Sequence, residues 1–265
     1  MNVFKRNNVK IQGFGKQIMI FAHGFGCDQN MWRYVAPEFQ RSYNTLLFDN
    51  VGAGESDLSA FDPQKYGSLH GYAQDVIEIL QAVGAENAIF VGHSVSAMVG
   101  VLAAIEAPEL FDKLILVGPS PSYLNDGNYV GGFEREDIED MLEFLDVNYL
   151  GWSSTMAPVI MGNPDQSSLS QELENSFCRT DPTIASHFAR TTFLSDHRTE
   201  LARLRRPSLI LQCSDDVIAP DSVGEFMHSQ MPDSTLVQMK ATGHCPNLSA
   251  PEETTAEIKK YLQVA

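Results

Sequence analysis

With 265 residues, 43% of them hydrophobic, the chain can bury one large core without disulfides or metal, and a single catalytic unit is expected. A formal net charge of −16 with only 18 Lys and Arg argues against nucleic acid and anionic membranes as partners, because a phosphate surface needs basic groups to release its counterions. No stretch approaches the roughly 18 apolar residues of a spanning helix, and no basic region precedes a long apolar run, so neither membrane span nor signal peptide is expected and the default compartment is the cytoplasm.

Residues 1–15 read as an antiparallel edge hairpin, since Gln12-Gly13-Phe14-Gly15-Lys16 is a turn signal between two short β-prone pieces. The apolar run 17–22 follows as a strand and stops on His23-Gly24-Phe25-Gly26. Glycines on both sides of Phe25 let the loop curl until the Phe25 amide points inward, which makes that N–H a candidate donor to the oxyanion of acyl transfer. His23 reads as structural, packed behind the loop. A second strand is expected at 45–48. After it, Leu69, Tyr72, Ala73, Val76, Ile77, Leu80 and Val83 recur every three or four residues, so one helix face lies on the sheet.

The run 88–91 delivers Gly92-His93-Ser94-Val95-Ser96, where an apolar strand stops on a glycine and places one serine before a small-residue helix starting at about Val95. This is the pattern of a nucleophile elbow, with Ser94 lifted out of the sheet and the Val95 amide at the positive end of the helix as the second oxyanion donor. The last position of G-x-S-x-G is Ser96, so crowding at the elbow is expected there.

A strand at 114–117 precedes a stretch from Pro119 to about Arg198 in which strand signals vanish. Helical patterns at 134–148, 171–178 and 182–194 take over, which predicts a helical cap at 119–198 inserted into a core of 1–118 and 199–265. Its acids, Glu134, Glu136, Asp137, Glu139 and Asp140, read as a solvated helix face.

Beyond the cap, the strand 208–213 leads to Asp215 and Asp216, and the strand 235–239 leads to Thr242-Gly243-His244-Cys245-Pro246. Serine first, then acid, then histidine is the order of a serine triad on an open parallel sheet. The imidazole of His244 would take the Ser94 proton, and the acid would fix its tautomer. Apolar runs alternating with helical patterns predict an α/β fold with a mostly parallel twisted sheet flanked by helices. Cys27, Cys178, Cys213 and Cys245 lack C-x-x-C pairing and read as free thiols, with Cys245 a buried neighbour of His244. Without H-E-x-x-H or a spaced ligand cluster, neither metal nor cofactor is expected.

The strings His23-Gly24-Phe25-Gly26-Cys27-Asp28-Gln29, Phe48-Asp49-Asn50-Val51-Gly52-Ala53-Gly54-Glu55-Ser56-Asp57, Gly71-Tyr72-Ala73-Gln74-Asp75-Val76, Pro121-Ser122-Tyr123-Leu124-Asn125-Asp126 and Gly131-Gly132-Phe133-Glu134 carry a resemblance to the α/β-hydrolase superfamily. Within it, the chain resembles the RsbQ-like branch of bacterial stress-response regulators and their plant relatives, the strigolactone and karrikin receptor hydrolases. The similarity runs from about Asn8 to the last helix. It implies a Ser-His-Asp triad on Ser94, His244 and Asp216, a cap over a deep apolar pocket, and small hydrophobic esters, lactones or butenolides as ligands. Asp216 stands four residues before Pro220, the spacing of related hydrolases, which selects it over Asp215. By resemblance, Phe25, Phe133, Trp152, Met156, Phe193 and Val217 face the pocket.

Two functions stay open at this point. One is a serine hydrolase turning over a small ester or lactone through an acyl-enzyme on Ser94. The other is a ligand-sensing regulator whose slow hydrolysis gates binding to a signalling partner such as a PAS-domain phosphatase. A haloalkane dehalogenase would need a carboxylate where Ser94 stands.

Overall fold

The computed structural model describes residues 2–264. Its strands are β1 (Lys10–Gly13), β2 (Ile18–Ala22), β3 (Asn44–Leu47), β4 (Ala88–His93), β5 (Phe111–Val117), β6 (Ser208–Ser214) and β7 (Ser234–Thr242). Among the described residues they form one sheet in the order β1-β3-β2-β4-β5-β6-β7, in which β1 pairs antiparallel with β3 and the other pairs are parallel. Parallel neighbours cannot be joined by tight turns, so helices carry the chain back across the sheet. These are α1 (Val3–Arg6), α2 (Leu69–Ala82), α3 (Val95–Glu106), α4 (Arg135–Val147), α5 (Tyr149–Met161), α6 (Ser167–Arg179), α7 (Pro182–Phe193), α8 (Asp221–Gln230), α9 (Pro246–Ser249) and α10 (Pro251–Leu262).

Alternation along each strand splits the core into two layers. Ile20, Phe90, Leu116 and Ile210 pack with Leu80 of α2, Val99 of α3 and Val223 of α8. Their neighbours Phe21, Val91, Val117 and Leu211 point the other way, into a layer holding Trp32, Phe39 and Ile258 of α10. With both faces covered, the central strands read as unbroken apolar runs, which is why the sequence betrays them. The layer containing Phe21 continues into α4, α5, α6 and α7, which all lie between β5 and β6.

The N-terminal expectation needs correction. β1 is an antiparallel edge strand, but its partner is β3, not β2, so residues 10–22 form no hairpin. The connection after β1 instead folds over the segment before β3, where the Phe14 amide donates to the Gln40 carbonyl at 2.9 Å. Residues 3–6 are helical: Asn2 caps the turn, and the Arg6 guanidinium is anchored on α2 by Asp75 at 3.0 Å and by Glu78. Residue 1 lies outside the described residues.

The C-terminal ends of the parallel strands share one edge, where open sheets of this kind gather functional groups. Phe25 follows β2, Ser94 follows β4, Asp216 follows β6 and His244 follows β7.

Candidate active site

The turn between β4 and α3 is tight enough to force Ser94 to φ 57 and ψ −128, a conformation that L-residues avoid, at a cost of order 1–3 kcal/mol. Its amide is held by the Val117 carbonyl at 2.8 Å. Gly92 makes the turn feasible, because a Cβ there would stand 2.7 Å from the Ser96 carbonyl oxygen and 2.6 Å from the Phe90 ring. Ser96 makes close contacts of its own there. Its hydroxyl donates to the His23 carbonyl at 2.5 Å and accepts from Asn50 Nδ2 at 3.3 Å, so the elbow helix is tied to the loop after β2. His23 completes this link: its Nε2 accepts from the Asn50 amide at 3.0 Å, and its ring is fully buried.

Folding brings Ser94, His244 and Asp216 into one hydrogen-bonded chain. His244 Nε2 lies 2.7 Å from Ser94 Oγ, and Nδ1 lies 2.7 Å from Asp216 Oδ2. All three residues are buried, at 5%, 4% and 4% exposure respectively, so their contacts are little screened by water. The other Asp216 oxygen accepts from the amides of Ile218 at 2.9 Å and Ala219 at 3.1 Å, which fixes the carboxylate plane. Asp215 adopts φ 51 and points to solvent.

His93, which the sequence reading passed over, supports the histidine loop. Its Nε2–H donates to the His244 carbonyl at 2.7 Å, and the two rings stand 5.0 Å apart. Burial, reinforced by the neighbouring His244, pushes the His93 pKa down to about 3, so the ring is neutral at physiological pH. A second tether comes from α5, where the Ile160 carbonyl accepts from the His244 amide at 3.0 Å.

Beside Ser94, the amides of Phe25 and Val95 donate to no protein acceptor among the described residues. Val95 opens α3, whose unpaired N–H groups and dipole favour negative charge. Two unpaired amides next to a hydroxyl that an imidazole can deprotonate are suited to stabilising an oxyanion on a carbon attacked by that hydroxyl.

A narrow cavity, with an open volume of only about 30 Å³ between its side chains, opens onto these groups. Phe25 and Phe193, both expected there, line it together with Tyr123, Ile160, Phe177 and Ile218. Phe25 is the hub of the wall, with its ring centroid 5.6 Å from that of Phe188, 5.9 Å from Trp152, 6.0 Å from Phe193 and 6.1 Å from Phe177. Four expected lining residues are not among those that face it. Trp152 is fully buried one layer back, behind Phe25 and Phe177. Met156 and Phe133 pack against the core layer of α4–α7. Val217 is 52% exposed, because the turn in which the Ile218 and Ala219 amides anchor Asp216 leaves residue 217 outward and gives its place to Ile218. Tyr123 and Phe177 had only weak sequence signals, one inside a loop string and the other among several aromatics of the inserted helices.

Cys27 and Cys245 also line the cavity, and all the cysteines are free thiols. Burial pushes the Cys27 pKa up to about 12 and that of Cys245 well above its ordinary value, which leaves both as inert apolar wall at neutral pH. No helix among the described residues is long and apolar enough to cross a membrane.

Comparison with known proteins agrees with this architecture. The profile of the alpha/beta hydrolase family matches residues 19–258. Over 261 residues the chain is 41% identical to the karrikin insensitive 2 receptor CA of Petunia hybrida, covering 98% of this chain and 97% of the relative. It is likewise 41% identical over 257 residues to the strigolactone esterase RMS3 of Pisum sativum, with 96% of each chain covered. Among solved structures, a hydrolase from Oleispira antarctica, olei00960, superposes with a TM-score of 0.96 at 41% identity, covering 99% of this chain and 96% of that one.

Proposed function

The chain belongs to the alpha/beta hydrolase family, and from that premise we propose that it hydrolyses a small hydrophobic ester or lactone, butenolide-like in size, through an acyl-enzyme on Ser94. The observation that carries this reading is the continuous relay Ser94–His244–Asp216, with 2.7 Å at both links. In the reaction, Ser94 Oγ bonds to the substrate carbonyl carbon while its proton passes to His244 Nε2. The carbonyl π pair moves onto oxygen and is held by the Phe25 and Val95 amides. Collapse re-forms the carbonyl and breaks the bond to the leaving alkoxide, which takes the proton back from His244. Water then attacks the acyl group by the same route, releasing the acid and restoring the serine. Asp216 stays ionised throughout and orients the ring.

The proposed cap, residues 119–198, supplies the apolar wall that selects the acyl group, and its aromatic lining favours a hydrophobic ligand over a peptide. Accepting such a ligand requires the Phe25, Phe177 and Phe193 rings to give way. Ser94→Ala is the direct test: it should abolish both hydrolysis of a p-nitrophenyl ester and the acyl mass adduct on the intact protein. Full activity in that variant would remove the reading.

A second reading is supported by the names of the relatives, one a receptor and the other an esterase, and by the hydrogen bond that ties the His244 amide to the Ile160 carbonyl of α5. In it, slow turnover at the same relay changes the cap and recruits a signalling protein such as a PAS-domain phosphatase. Adduct lifetime separates the two. A mass adduct that outlasts substrate exhaustion favours sensing, whereas one detectable only during turnover favours metabolism.

A further inference from the structure

Outside the relay, one cluster of ligating side chains forms where the inserted helices rejoin the core. His70 is the second residue of α2, while His197 and Glu200 lie at the start of the 3-10 turn Arg198–Arg203 that follows α7. One nitrogen or oxygen from each lies within 4.8 Å of the other two. These residues are too far apart in the chain to form a spaced motif, so only folding exposes the constellation.

Several details point toward a bound cation. His197 is 8% exposed, and its Nδ1 is buried with no hydrogen-bond partner among the described residues. An orphaned buried nitrogen is costly enough to call for an explanation. Glu200 Oε1 faces that nitrogen at 3.7 Å, beyond hydrogen-bond reach, while Oε2 accepts from the Thr199 hydroxyl at 2.9 Å, which steadies the carboxylate. The His197 backbone is fixed by its amide, which donates to the Pro121 carbonyl at 2.8 Å. The nearby carboxylate of Asp196 is committed to the Arg198 guanidinium at 2.9 and 2.6 Å. His70 is exposed and its ring stands 5.8 Å from that of His197, nearly perpendicular at 79°.

Two imidazoles and a carboxylate suit a borderline ion such as zinc and are a poor match for calcium or magnesium, which prefer all-oxygen sets. Ligands about 2.0–2.2 Å from a tetrahedral zinc stand roughly 3.4 Å from one another. The His197–Glu200 pair is already near that separation, so rotation of the exposed His70 side chain completes the set. We propose that His70, His197 and Glu200 bind one zinc ion that fastens the return from the inserted helices onto α2. This site is independent of the ester-hydrolysis reading.

The test uses the full chain, stripped by chelator and titrated with zinc chloride in a calorimeter, alongside thermal unfolding with and without the ion. One ion should bind per chain and raise Tm. Because loss of even an outer partner of a metal ligand costs about 10–100-fold in affinity, His70→Ala and Glu200→Gln should each weaken binding by more than roughly 100-fold and abolish the Tm rise, while zinc-free ester hydrolysis stays unchanged. Cys178→Ala, which removes the exposed thiol, should bind as the parent does. Absence of binding in the parent, or undiminished binding in both His70→Ala and Glu200→Gln, overturns the proposal.

Discussion

The Ser96 hydroxyl, on the second residue of the elbow helix, donates to the backbone carbonyl of His23 at 2.5 Å, so the nucleophile turn and the loop bearing the Phe25 amide are held by one side chain. The position where a small-residue elbow commonly has glycine is used here as a brace. Ser96→Gly should therefore loosen the molecule. It removes a buried hydrogen bond worth about 1 kcal/mol and adds the roughly 0.5–1 kcal/mol entropic cost of glycine in a helix. Denaturant unfolding should show a loss of about 1–2 kcal/mol with an unchanged m-value, and ester turnover should change by only a few-fold. An unaltered midpoint would sink the brace.

That outcome bears on what the sequence could reveal. The inner strands β2, β4, β5 and β6 were legible because burial on both faces writes continuous apolar runs, and α2 because one face alone is apolar. Helix α5 escaped notice because Tyr149–Met161 does not segregate its polar residues Ser153, Ser154 and Thr155 onto one face and contains Gly151 and Pro158, which leaves no stripe to read. The relay residues were legible through the order Ser94, Asp216, His244 and their places after strands. Which side chains wall the cavity was not, because that depends on one-residue matters of turn geometry, as where Ile218 and not Val217 faces inward. The bond made by Ser96 was not legible for a related reason: its residue type shows its size but not the carbonyl that its hydroxyl finds.

The Asp216 carboxylate divides its duties, with Oδ1 on two amides and Oδ2 on the His244 ring. In Asp216→Asn the amide oxygen can still satisfy Ile218 and Ala219, so the turn should survive. The new NH₂ then faces His244 Nδ1 and requires it to accept, which places the ring proton on Nε2, where Ser94 needs a base. A fall in kcat of roughly 10⁴-fold is expected, with near-native circular dichroism and Tm. Retention of even a tenth of the activity would mean that the relay does not depend on the tautomer.

Buried His93 has a folded pKa depressed from 6.5 to about 3, so the unfolded chain binds the extra proton more readily. Above the unfolded value this has no effect. As pH falls below about 6.5, stability should decline by up to roughly 1.4 kcal/mol per pH unit from this group alone. Burial also lowers the His197 pKa, which adds a decline of the same sign. His93→Gln, which keeps a donor for the His244 carbonyl but cannot titrate, should be less stable at pH 7.5 yet lose less stability than the parent between pH 6.5 and 5. Parallel losses in the two proteins, followed by urea midpoints across that range, would show that His93 does not carry the effect.

Asn163 fastens the end of α5 to the loop that carries His244. Its Nδ2 donates to the Met161 carbonyl at 2.6 Å and the Thr242 carbonyl at 2.9 Å, while Oδ1 accepts from the Thr242 hydroxyl at 3.2 Å. Next to it, Gly162 and Gly243 pass so closely that a Cβ on Gly162 would lie 2.8 Å from the Gly243 Cα. Asn163→Ala keeps that close approach but removes every hydrogen bond of the clasp, at a cost of order 1–3 kcal/mol because the freed groups are partly buried. Since the clasp holds His244 and touches no substrate, the effect should fall on kcat, about 10-fold for a misplaced base, with KM little altered. Amide exchange should quicken at Gly243 and His244, whose N–H groups bond to the Ser214 and Ile160 carbonyls. If exchange there speeds up while kcat is unchanged, the relay tolerates a loose histidine loop. If KM rises alone, the clasp shapes the cavity and does not position the base.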